Sequence, residues 1–102
     1  MSSLSEIYFN YNKAIEQANK LDGVAQQLRK ASDESMENIL TTVNSAWRSD
    51  SSPQYIKKGQ KVKGDIRTTA GNLTNIASTI RTIAERVLQA ELEAWRIANE
   101  RD

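Results

Sequence analysis

The chain has 102 residues, 38% of them hydrophobic, and a formal net charge of +1. That length allows one small domain, and the near-neutral charge argues against duplex DNA, which selects a clearly basic face. No stretch reaches the apolar length of a membrane span. With no cysteine and no histidine, disulfides and thiolate metal sites are excluded, and the redox compartment stays open.

The opening Met1-Ser2-Ser3-Leu4-Ser5-Glu6 has no basic region followed by an apolar core, so no cleavable signal peptide is expected. Ser3 and Ser5 are both plausible N-caps for a first helix, with Glu6 in its first turn where the helix dipole favours an acid. Small and apolar residues then recur three and four apart at Leu4, Ile7, Tyr11, Ala14, Ala18, Leu21, Ala25, Leu28, Ser32, Ser35, Ile39, Thr42 and Ala46. A mean spacing of 3.5 keeps one helix face toward a partner helix and predicts a helix over about 4–47. Gly23 is its weak interior residue, and Ser32 and Ser35 soften the stripe.

The pattern breaks at Trp47-Arg48-Ser49-Asp50-Ser51-Ser52-Pro53. Asp50 and Ser51 form turns, Ser52 is an N-cap, and Pro53 suits the first helical position, where its missing N–H is not needed. A turn over about 48–52 and a second helix over about 53–99 follow. The expected stripe of that helix is Tyr55, Gly59, Val62, Ile66, Thr69, Leu73, Ile76, Ile80, Ile83, Val87, Ala90, Ala94 and Ile97, with Ala70, Ala77 and Ala84 behind it. Gly59, Gly64 and Gly71 lower its early stability and suggest close helix contact.

The fold class read from this pattern is all-α: residues 1–102 form a single antiparallel two-helix hairpin. Helices of about 45 residues would be about 65 Å long. Two helices enclose no core, so each buries one stripe and flanking apolar residues stay wet. Pairing of two hairpins into an elongated four-helix bundle is the expectation, with a homodimer as the default.

Catalysis is not expected. An enzyme needs convergent reactive groups, and the chain has neither histidine nor cysteine, nor a glycine-rich phosphate cradle. Asp33, Glu34 and Glu37 are read as a solvated outer face rather than a metal site. No cofactor and no small-molecule substrate are implied. Lys57, Lys58, Lys61, Lys63 and Arg67 form a local basic segment, which reads as a solvated face or as a weak nucleic-acid or anionic-surface binder.

The turn carries a resemblance. Trp47 closes the first helix, Ser49 follows two residues later, and Tyr55 lies eight residues beyond the tryptophan. Together with the length, the hairpin and the lack of cysteine, this resembles the WXG family of small type VII secretion substrates, over the whole chain. Ser49 stands where that family has glycine. Trp47 is read either as a recognition residue or as a plug at the open end of the hairpin, with Tyr55 against it. The resemblance implies a secreted, non-catalytic protein, cytoplasmic before export from a Gram-positive type of bacterium. It implies a homodimer, or a heterodimer with a related small helical protein. A secretion ATPase or the N-terminal helical domain of an LXG toxin would be its larger partners. The family's C-terminal export signal pairs an aromatic with an acid four residues on. Here Trp95 is followed at that spacing by Asn99, with Glu100 one residue late, so this variant acts as the signal or a partner supplies one.

A second apolar face is expected at the free end. At about 100° per residue, Leu88, Leu92 and Trp95 point away from the stripe of Val87, Ala90, Ala94 and Ile97. Phe9 likewise leaves the stripe of Ile7, Tyr11 and Ala14. Phe9, Leu88, Leu92 and Trp95 are therefore the expected dimer or partner face.

Overall fold

A computed structural model describes residues 3–46 and 52–100. Its helices are α1 (Leu4–Lys30), α2 (Glu37–Ala46) and α3 (Ser52–Asn99), with a π-helical turn, Ala31–Met36, joining α1 to α2. Among the described residues there is no strand, and the all-α hairpin reading holds. The first arm is helical up to Ala46, where the description stops. Trp47, Ser49 and the turn over 48–52 lie, save for the helical Ser52, outside the described residues. No helix of the described residues is long and apolar enough to cross a membrane.

The N-terminal cap is Ser3 rather than Ser5. Its Oγ accepts a hydrogen bond from the Glu6 N–H at 3.2 Å and its carbonyl accepts one from the Ile7 N–H at 3.0 Å. The side chain thus satisfies one of the free donors of the first turn, and the carbonyl accepts the first regular bond of the helix. At the other end the Glu100 N–H donates to the Arg96 carbonyl at 3.1 Å, and the Asn99 side-chain amide donates to the Trp95 carbonyl at 2.8 Å.

Two compact units divide the chain: residues 1–22 with 75–102, and residues 23–74. In the first unit, α1 and the later part of α3 are held by Arg81, whose guanidinium donates to Asp22 Oδ2 at 2.5 Å and Asn19 Oδ1 at 2.8 Å. Its fully or nearly buried apolar residues are Ile7 and Ala18 on α1 and Ala77, Ala84 and Leu88 on α3. In the second unit the arms run antiparallel, as pairs at 29 and 74, 33 and 67, and 37 and 63 show. Ala25, Ser32, Leu40 and Ala70 are buried there.

The stripe of α3 is rotated by one residue from the expected one. Ile76, Ile83, Val87 and Ile97 are each 44–53% exposed, whereas Ala77 is fully buried and Ala84 and Leu88 nearly so. Hydropathy alone ranks isoleucine inside. Close approach of two backbones favours small side chains at the line of contact, since interaxial distance is set by the residues there. The alanine column at 70, 77 and 84 takes the seam, and the isoleucine column becomes its flank.

On the first arm the expected stripe holds through Ser32 and then shifts. Ser35, Ile39 and Thr42 are exposed, while Met36 and Val43 are half-buried and Leu40 is buried. The cause is the π turn, which carries more residues per turn than an α-helix and advances the inward face by one position. Gly59 completes the arrangement: a Cβ there would collide with the Leu40 side chain, so the glycine leaves the space that leucine fills.

Candidate helix-docking site

The first unit presents a groove of about 230 Å³ between its two helices. Ile7, Tyr11 and Ala14 line it from α1, and Ile80, Ile83, Val87 and Leu88 from α3, with Asn10 and Glu91 as its polar residues. Ile83 is 53% exposed and Val87 47%. A lone exposed isoleucine is ordinary, but a contiguous apolar strip beside a groove marks an interface.

The opposite side of the seam has another character. Relative to Ala84, Ile83 lies about 100° to one side and Arg81 about 60° to the other. The Arg81 pairing with Asp22 and Asn19 therefore closes one flank with charge and leaves the other flank apolar. The groove is on the open flank.

The expected partner face divides. Leu88 is buried at 8% exposure, and Leu92 and Trp95 are half-buried, so these three belong to the seam side of α3. The reason is the same one-residue rotation: residues that leave an isoleucine stripe enter an alanine stripe. Only Phe9 is well exposed, and its ring carries the Lys13 ammonium 5.8 Å from its centre, a cation–π contact at the surface. The structure does not bring the four together as one exposed face. The residues missed from the sequence are Ile76, Ile80, Ile83 and Val87 as an open flank, and the seven-residue alanine period was the signal that could have found them.

The basic segment is partly neutralised. Lys63 Nζ lies 2.8 Å from Glu37 Oε2 and Arg67 3.4 Å from Asp33. Asp33 and Glu37 thus pair with α3 while staying exposed together with Glu34, in keeping with their reading as a solvated outer face. Lys57, Lys58 and Lys61 are exposed, as is Tyr55 on the first turns of α3. Among the described residues no group of three or more acidic side chains could hold a metal ion.

Comparisons with protein-family models, curated proteins and solved structures give no match for this chain.

At the free end, Arg96 bonds Glu93 and Glu100 on its own helix, at 2.8 Å to Glu100 Oε1. The hydrogen bond from Arg96, then its charge, holds the Glu93 carboxyl below the usual carboxylate range. Asn99 and Glu100 are thus both engaged in closing the end of α3.

Proposed function

We propose that the chain is a non-catalytic interaction protein that works by laying the open flank of its first unit against another helix, with a second copy of itself as the occupant. The observation that carries this reading is the groove over Ile80, Ile83 and Val87 on the side opposite Arg81 and Asp22. The strip Ile76, Ile80, Ile83, Val87 repeats at intervals of four, three and four. That is the spacing at which the knobs of one helix enter the holes of another, so the strip suits its own copy. In the cellular setting that the resemblance at Trp47 and Tyr55 suggests, this dimer is a substrate, adaptor or co-secreted partner of a type VII secretion system. The nearest variant is an adaptor on the helical domain of an LXG toxin.

Two measurements test the two halves separately. Sedimentation equilibrium should give twice the monomer mass at micromolar concentration, and a monomer at all accessible concentrations would overturn the docking reading. Expressed in a Gram-positive host, the tagged chain should appear in the medium only while the type VII ATPase is intact. Equal amounts in the medium without the ATPase, or none with it, would overturn the secretion reading and leave docking standing. The basic segment supports a second reading less well, because two of its five cations are paired across the arms.

A further inference from the structure

The first arm carries two apolar sets one residue apart, and the π turn decides between them. Continuing from Leu28 and Ser32 at α-helical spacing, a regular helix turns Ser35, Ile39 and Thr42 inward. The π turn instead brings in Met36, Leu40 and Val43. Leu40 is 7% exposed and Ile39 54%. A shift of one residue corresponds to a rotation of about 100°.

The observed register is fastened at several points. The fully buried Ser32 donates from its Oγ to the Lys63 carbonyl at 3.1 Å, and Leu40 fills the space over Gly59. The pair of Asp33 with Arg67 sits within the turn, and that of Glu37 with Lys63 directly after it. Against these stands the rarity of the π turn, which occurs mostly as a single-turn bulge inside an otherwise regular α-helix. Only the fastenings beyond the turn, Leu40 and Glu37, must move for the helix to become regular, because Ser32 and Asp33 lie in its first half.

We propose that the π turn is a register switch. Residues 37–46 exchange between the observed packing, with Leu40 and Val43 inward, and a regular α-helix with Ile39 and Thr42 inward and the Glu37–Lys63 pair broken. Ile39 is the residue that makes the second state affordable, since an apolar side chain then replaces Leu40 over Gly59. A partner that contacts α2 in one register selects that register.

The chain has no cysteine, so engineered pairs report cleanly. Ile56 is half-buried one turn before Gly59, level with Val43 when Leu40 lies over Gly59. Val43→Cys with Ile56→Cys reports the observed register, and Thr42→Cys with Ile56→Cys the second. Each pair is placed in the full chain and in a chain lacking Ser35, where removal of one residue makes the turn α-helical while residues 36–46 keep their observed faces. The 43–56 disulfide should form in both chains. The 42–56 disulfide should form in the full chain and roughly tenfold or more slowly without Ser35, as loss of a minor state requires. Equal rates for the 42–56 pair in both chains would mean local unfolding rather than a second register, and no 42–56 disulfide in either would mean one register only. Loss of helicity on deleting Ser35, read by circular dichroism, would also overturn the proposal, because the turn would not then be a one-residue insertion.

Discussion

Within residues 23–74 the arms meet through polar groups: Arg29 with Thr74, Ser32 with the Lys63 carbonyl, Lys63 with Glu37, and Arg67 with Asp33. Residues 3–22 and 75–100 have one such bridge among the described residues, Arg81 with Asp22 and Asn19, and beside it an apolar groove. All four glycines fall in the first of these regions, at 23, 59, 64 and 71, whereas Ala77 and Ala84 run beside Ile76, Ile80 and Ile83 in the second. Hydrogen bonds and half-exposed ion pairs fix which residue faces which while adding little net stability. Apolar surface adds affinity without such selectivity. One region specifies how the hairpin pairs with itself, and the other leaves apolar surface exposed beside a groove.

The sharpest way to break this contrast is to place the same charge in both regions. Ile83 and Ile39 are about equally exposed, at 53% and 54%, yet only Ile83 lines the groove. Ile83→Asp should leave the helical content of the monomer unchanged and weaken self-association by about 100-fold or more, because an unpaired carboxylate would be buried in an apolar interface. Ile39→Asp should change association by about threefold or less, the ordinary range for an exposed site. Sedimentation equilibrium of the two variants decides, and equal losses would erase the distinction between the regions.

How much of this was legible in the sequence follows the same division. The helical arms, the break near residue 50 and the Ser3 alternative for the cap follow from local chemistry, which a single sequence carries. The face of α3 does not, because columns at 76 and 83 and at 77 and 84 are both apolar and lie only about 100° apart. Choosing between them needs the distance between two backbones, and alanine wins because it allows the shorter one. Past Ser32 the first arm poses the same ambiguity between Ile39 and Leu40. There the outcome depends on a π turn that no residue type announces and on Gly59, far along the chain. The groove is hidden for the same reason as the seam, since the spacing places its Ile83 and Val87 in the contact between arms.

The glycines sharpen the comparison at smaller scale. Gly23 and Gly71 have open space where a Cβ would stand, so Gly23→Ala and Gly71→Ala should each stabilise by about 0.5–1 kcal/mol through helix propensity and a stiffer unfolded chain. Gly59→Ala meets the buried Leu40 side chain. Overpacking costs about 1–3 kcal/mol, which outweighs the propensity gain of about 1 kcal/mol and gives a net loss of about 1 kcal/mol. Thermal melts resolve the difference, since about 1 kcal/mol moves the midpoint by several degrees in a domain of this size. A stabilised Gly59→Ala would mean that Leu40 yields easily and that the 23–74 region is less tightly specified than its polar contacts imply.

The smallest expected effect concerns charge that lies along one helix rather than across the arms. Arg96 bonds Glu93 three residues before it and Glu100 four after it, and all three side chains are more than half exposed. Because the hydrogen bond and charge of Arg96 lower the Glu93 pKa, the folded state binds that proton more weakly than the unfolded one. Its contribution is therefore complete above the ordinary carboxylate range and is lost as pH falls through the lowered value. The raised pKa of Arg96, caused first by the bond to Glu93 and then by that to Glu100, lies above any working pH and adds no dependence of its own. Acidification should accordingly fray the last turns of α3, seen as faster amide hydrogen exchange over 93–99 after correction for the intrinsic pH dependence of exchange. Arg96→Gln should show that fraying already at neutral pH, with little further change in acid, because the group that lowers the Glu93 pKa is gone. If the variant retains the full acid response, the fraying belongs to another carboxylate, and the free end is fastened by contacts across the arms as residues 23–74 are.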